Sequence, residues 1–225
     1  EMFQSLLDYA LLEKKDKKMF AFVPENFWSD ISSTLQNSQK YKITKKPVVY
    51  QNPVFNLKKW DENLAGKEWK KLRNIKNSFF RHHKAEFVPS KEIDKNKLMG
   101  VVRKWRKSRT KVEMTYYMRM YLNFVKNDFE GTDIARSLVV DNEPWSITAG
   151  WKIPNSKDYY SAIGLYSYDH EGLGEVANVD DLTQLKIGGY EHADFGDSTE
   201  SLLQFKKKFG PESFYNTYWF HIVRK

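Results

Sequence analysis

The sequence predicts an α/β chain, a mixed sheet flanked by helices in an α+β arrangement, on three observations. Amphipathic helical faces dominate the stretch before residue 130, short alternating strands separated by turn signals follow, and a helix, strand, helix, strand order then runs to the C-terminus.

In chain order, Glu1 to Lys15 has a helical face of Phe3, Leu6, Leu7, Ala10 and Leu11. Phe20 to Val23 is a short strand, and Pro24 opens a helix to about Gln36 with Phe27, Trp28, Ile31 and Leu35 apolar. Tyr41 to Tyr50 reads as extended. A helix over about Asp61 to Phe80 would carry Leu64, Ala65, Trp69, Leu72, Ile75 and Phe79 on one face and Lys70, Arg73, Asn74 and Asn77 towards the other. Helices near Lys95 to Lys107 and Met114 to Lys126 come next, closed by Gly131.

The pattern then switches to Ala135–Val140, a turn at Asp141-Asn142-Glu143-Pro144, Trp145–Ile153 and Tyr159–Tyr168. The loop His170-Glu171-Gly172-Leu173-Gly174 leads to a helix near Val179 to Lys186, and Tyr190 to Phe195 forms a strand. Asp197 and Glu200 have capping-box spacing for a last helix, which Gly210-Pro211 stops. Ser213 to Val223 closes the fold as an aromatic-rich strand. In such an order a ligand is expected at strand ends near helix N-termini.

Composition narrows the chemistry. With no cysteine there is no thiolate nucleophile, disulfide or cysteine-bound zinc, and the adjacent His82-His83 point to different sides of a helix, so no metal site is expected. No apolar run approaches the roughly 20 residues of a membrane span, so no transmembrane segment is expected in this stretch; the expected location is cytoplasmic or at a membrane surface. Gly-x-Ser-x-Gly is absent, so serine-hydrolase chemistry has no support. The formal charge of +8 is uneven: residues 57 to 111 hold 18 Lys/Arg against 6 Asp/Glu, whereas residues 127 to 200 hold 4 against 15. A region that basic favours a polyanion such as nucleic acid, an anionic lipid or a phosphorylated small molecule.

One charge is out of place. At about 100° per residue Lys206 falls inside the arc of Leu202, Leu203, Phe205 and Phe209, while Lys207 and Lys208 fall outside it. Lys206 either snorkels to water or meets an anion in a cleft.

Two motifs carry a family resemblance. The residues Val49-Tyr50, followed by Gly66-Lys67-Glu68-Trp69 and Lys70-Lys71-Leu72-Arg73-Asn74 with Phe79, resemble the entry to the second lobe of the phosphatidylglycerol lysyltransferase C-terminal domain family. The segment Gly189-Tyr190, Asp194-Phe195-Gly196 and Phe205-Lys206-x-x-Phe209-Gly210 is similar both to that family and to the peptidoglycan-bridge aminoacyl transferases, all of the GNAT-like acyltransferase superfamily. The resemblance implies a partial first GNAT-like lobe over residues 1–51 and a GNAT-like acyltransferase domain over 52–225. It also implies transfer of an acyl or aminoacyl group, often from aminoacyl-tRNA, to an amine or hydroxyl, with no resident cofactor required. By motif position Lys206 would contact a substrate phosphate, and Arg73 with Asn74 would lie beside the cleft, Arg73 gripping a phosphate or a tRNA end.

The chain departs from the superfamily where coenzyme A would bind. That loop usually begins with Gln or Arg before a glycine-rich turn whose N–H groups hold pyrophosphate. Here it reads His170-Glu171-Gly172-Leu173-Gly174-Glu175, and Glu171 and Glu175 would repel phosphate, which makes coenzyme A doubtful. Charged tRNA or another polyanion is then the expected partner, and an anionic lipid is one possible acceptor. At the strand ends Asp194 and Tyr168 are the candidate catalytic groups and Asp169 a substrate contact, with no unique proton-transfer residue. The rival reading is a non-catalytic nucleic-acid-binding module using Arg103, Lys104, Trp105, Arg106 and Lys107, with Lys70 on the same basic stretch. An acetyltransferase using coenzyme A through the degenerate loop is a third.

Overall fold

A computed structural model describes residues 2–108 and 114–225, so Glu1 of the expected first helix lies outside the described residues. In chain order the helices are α1 (Met2–Leu7), continued by a π-helical turn over Asp8–Glu13, α2 (Glu25–Asn37), α3 (Lys70–His82), α4 (Lys95–Lys107), α5 (Met114–Lys126), α6 (Leu173–Ile187) and α7 (Glu200–Lys207). The strands are β1 (Met19–Pro24), β2 (Tyr41–Ile43), β3 (Val48–Asn56), β4 (Ala85–Pro89), β5 (Ile134–Val140), β6 (Glu143–Pro144), β7 (Ser146–Lys152), β8 (Tyr159–Tyr166), β9 (His192–Asp194) and β10 (Ser213–Arg224). They divide into two compact units. One comprises Glu1–Pro53, Asp197–Lys207 and Pro211–Lys225, and the other Val54–Gly196 with Lys208–Gly210.

In the first unit β10 pairs antiparallel with β1 and β2 and neighbours β3. Alternation along the strands gives each face a different fate. Ala21, Val23, Phe220 and Ile222 turn to the helices and bury with Leu7, Leu11, Leu35 and Tyr41. The Tyr41 hydroxyl donates to the Asp8 carboxylate at the start of the π-helical turn. Burial, and then Asp8, push that phenol up to about 12. On the other face Phe20, Phe22 and Tyr50 gather around Trp219 with centroid distances of 5.0 to 5.7 Å, and Phe20 also meets His221 at 5.0 Å. Phe22 remains 63% exposed there.

The second unit is built on a mixed sheet in the order β3, β9, β8, β7, β5, β4, with β6 on β5. All its pairs are antiparallel except β8 with β9. α4 and α5 cover one face, burying Leu98, Val101, Val102, Trp105 and Val125 against Ile147, Ala149, Ile163 and Leu165. Asp94 caps α4 by accepting from the N–H groups of Asn96 and Lys97 at 2.9 and 3.2 Å. The register of β7 on β8 jumps between Ala149/Ile163 and Gly150/Ser161, leaving Ala162 as an extra residue. Such a bulge reverses the alternation. Ala162 and Ile163 therefore both face α4 and α5, and Ser161 faces α6.

Four sequence expectations are corrected. The helix expected from Asp61 begins at Lys70. The Asp61 carboxylate instead accepts from the N–H groups of Asn63 and Ala65, and Leu64 and Gly66 take positive φ, which ends any helix there. α6 starts six residues before the expected Val179, because Asn178 returns its amide to the Gly174 carbonyl at 2.7 Å and fits inside the helix. The last helix, expected to open at Asp197, begins at Glu200, because Ser198 is drawn into a bridge with Gln51. β4 is an additional strand that its central Glu86 and terminal Pro89 disguise.

The bulge leaves no space beside Gly150, where a Cβ would lie 2.0 Å from the Tyr160 carbonyl oxygen. Gly150→Ala is expected to destabilise the chain by about 2–4 kcal/mol in urea unfolding. Gly164→Ala, where nothing lies within 4 Å, is expected to change it by less than about 1 kcal/mol.

Candidate functional site

The second unit brings the candidate chemistry to one end of β8. β8 and β9 run parallel but pair only at Tyr159 with Ala193 and Tyr160 with Asp194. Beyond the bulge β8 continues to Tyr166 without β9, so one side of it is open. The chain then turns into α6 through residues 167 to 172. The Ser167 N–H donates to the Trp145 carbonyl at 3.0 Å, and Asp169 N–H donates to the Ser167 hydroxyl at 3.2 Å. Gly172 has φ 81°, and a Cβ on it would lie 2.7 Å from Ile75, so this turn needs glycine.

No side chain caps α6, so its first N–H groups face the loop carrying His170. The His170 ring meets Trp145 edge to face at 4.5 Å and His83 at 4.9 Å, and the Lys104 ammonium sits 3.9 Å from the Trp145 ring centre. The buried Nε2 of His170 has no hydrogen-bond partner. Burial, then the neighbouring His83, hold the His170 imidazole below its usual range, so it is neutral at pH 7. Sequence reasoning placed His170 in the loop without a role. His83 and Trp145 were missed because they come from distant elements.

At the other side of the parted strands Asp194 is 8% exposed, and its carboxylate accepts the Gly196 N–H at 2.7 Å. Gly196 has φ 66°, and a Cβ there would lie 3.1 Å from the Tyr160 hydroxyl. Asp194, Gly196 and Tyr160 thus form one cluster, with Tyr160 a member the sequence did not single out. Tyr168, by contrast, is 66% exposed, and Asp169 is exposed beside it.

The first family motif has a structural side. Nη1 of Arg73 donates to the carbonyls of Leu64 and of Gly66, the latter at 3.1 Å, closing the turn before α3, while Asn74 is exposed. Trp69 packs edge to face on Trp60 at 5.1 Å, and Trp60 donates to Thr183 at 3.1 Å. A Cβ on Gly210 would lie 3.1 Å from Trp69, so the ends of the two motifs meet. Lys208 pairs with Glu175 in the first turn of α6 at 2.7 Å, which offsets the charge expected to repel phosphate.

In the first unit Lys206 is 8% exposed, inside the buried arc that helical geometry assigned it. Lys70, Arg103, Lys104 and Lys107 are exposed and Arg106 is half-buried. Trp105, expected as an aromatic contact for nucleic acid, is instead 6% exposed in the α4–α5 core.

No family model matches the chain, and no curated protein does. Solved structures match it over nearly its whole length. A conserved protein of unknown function from Bacteroides thetaiotaomicron VPI-5482 is 16% identical with a TM-score of 0.69, covering 100% of this chain and 75% of that one. L-PGS from Bacillus licheniformis is 15% identical with a TM-score of 0.64, covering 99% and 72%. A tandem GNAT protein from the clavulanic acid biosynthesis pathway is 11% identical with a TM-score of 0.58, covering 98% and 69%. The fold is therefore GNAT-like, in the α+β class. It is shared with the lysylphosphatidylglycerol synthetase C-terminal domain that the two motifs resemble.

A depressed His170 has a defined linkage. The unfolded chain binds a proton near pH 6.5 that the folded chain refuses, so this group's contribution is full above that pH and is lost as pH falls through the lower folded value. Nitrogen-15 NMR of the imidazole is expected to show His170 titrating below the ordinary histidine range, and His170→Gln to flatten this part of the stability profile.

Proposed function

We propose that this chain is an acyltransferase that moves an activated acyl group, an aminoacyl group carried on tRNA, to an amine or hydroxyl. The observation that supports it most is the parting of β8 from β9 beyond Tyr160, beside a GNAT-like α6 N-terminus. An acyl carbonyl placed in that opening would meet backbone N–H groups able to stabilise a developing oxyanion. The acceptor nitrogen or oxygen bonds to the acyl carbon, the ester C–O bond breaks, and the acceptor's proton passes to the released ribose oxygen. Asp194 orients the acceptor, and Tyr160 or Tyr168 can relay the proton.

Lys206 is assigned to a substrate phosphate by its position in the Phe205-Lys206-x-x-Phe209-Gly210 motif. The exposed Lys70, Arg103, Lys104 and Lys107, with the half-buried Arg106, suit the tRNA backbone, and Arg73, Asn74 and Asp169 are assigned to the substrate. Coenzyme A remains the less favoured donor: Lys208 offsets Glu175, yet no arginine or glutamine leads the loop. The same exposed cations favour a second reading, a polyanion-binding module without catalysis, although burial of Trp105 removes its stacking residue.

The test incubates the protein with tRNA charged with labelled amino acid and, separately, with labelled acetyl-coenzyme A, across lipid, peptide and small-amine acceptors. Transfer from charged tRNA is expected. Transfer from acetyl-coenzyme A alone overturns the donor, and RNA binding with no transfer from either donor overturns catalysis. Lys206→Met, which keeps the buried stem, is expected to lower transfer by at least about tenfold, roughly 1.4 kcal/mol of transition-state stabilisation, with the melting temperature nearly unchanged.

A further inference from the structure

α6 carries two adjacent acidic residues, and both are turned inward. Asp180 meets Arg136 of β5 at 2.8 Å, with Lys76 of α3 also near. Asp181 has no cationic partner in contact and is 2% exposed. Its Oδ2 accepts from the Ser161 hydroxyl of β8 at 3.1 Å, the Thr148 hydroxyl of β7 lies beside the carboxyl group, and Oδ1 is buried without any partner. The remaining groups that face it are the Tyr159 phenol of β8, Asp180 on its own helix and, more distantly, Arg136. Two hydroxyls and a neighbouring carboxylate form a poor shell for a buried negative charge, and an unpartnered oxygen makes it poorer. They form an adequate shell for a carboxylic acid, whose proton either hydroxyl oxygen can accept.

We propose that Asp181 is a proton-operated latch: as a neutral acid it fastens α6 to β7 and β8, and losing the proton loosens the helix whose N-terminal turn forms the candidate site. The bulge makes the latch possible, because without the extra residue Ala162 the Ser161 hydroxyl would face α4 and α5. Burial raises the Asp181 carboxyl to about 7 against an ordinary 3.8, with Asp180 adding to the rise and the hydroxyls of Ser161 and Thr148 opposing it. The folded chain therefore holds a proton between about pH 4 and 7 that the unfolded chain has released. The latch's contribution is full below that window and gone above it. Any control of transfer rests on the acyltransferase reading, but the latch itself does not.

The experiment follows the carbon-13 carboxyl resonance of Asp181 in the wild-type chain from pH 5 to 8, together with pH-dependent hydrogen exchange of α6, corrected for intrinsic rates. Expected is an un-ionised carboxyl at pH 5 to 6 that titrates near neutrality. Protection of residues 173 to 187 should fall up to about tenfold per pH unit between pH 5 and 7 and then level off. Asp181→Asn, an un-ionisable isostere, should remove that slope. An ionised Asp181 at pH 5, or the same slope in wild type and Asp181→Asn, overturns the proposal. If the variant does not fold, the wild-type carboxyl resonance decides alone. Loss of transfer with the carboxyl titration intact would count against the acyltransferase reading and leave the latch standing.

Discussion

One extra residue in β8 organises the second unit. Ala162 breaks the register with β7 immediately after Tyr160, the last residue of β8 paired with β9. A bulge bends its strand and increases twist, so the position where the register slips is also where the two parallel strands separate. The same slip divides the side chains of β8 between an apolar face under α4 and α5 and a polar contact under α6. Gly150 pins the arrangement from the other strand, since the Tyr160 backbone occupies the space of its missing side chain. Opening, core and polar contact therefore arise from one local irregularity.

Charge is distributed unevenly in depth as well as along the sequence. The basic stretch keeps most of its cations at the surface, where each costs little and acts mainly through its long-range field. The acidic stretch sends Asp180, Asp181 and Asp194 inward, and each meets a different solution: an arginine, a pair of hydroxyls, a backbone N–H. Inward carboxylates and outward ammonium groups thus perform unlike tasks, and a single net charge conceals both.

How much of this was legible in the sequence depended on whether the determining contact was local. β5, β7 and β8 were readable because alternation and the Asp141–Pro144 turn lie within a few residues. Lys206 was readable because a helix has one period and a lysine inside an apolar arc breaks it. The start of α3 was not, because the Asp61 side chain and the positive φ at Leu64 override an apolar spacing that fits a helix equally well. Trp105 was misread for a similar reason: four cations surround it in sequence, yet its indole points away from them into the core. His170, His83 and Trp145 converge from three elements, and no linear pattern records that meeting.

The aromatic face of the first unit bears on handling rather than on chemistry. Phe20, Phe22, Tyr50 and Trp219 form a continuous patch on strands whose opposite face is buried, so the rings contribute little to that core while presenting a sticky surface. Phe20 and Phe22, the exposed members of that patch, are where a change of surface hydrophobicity would be made in this unit. Those rings can be changed without touching the packing beneath them.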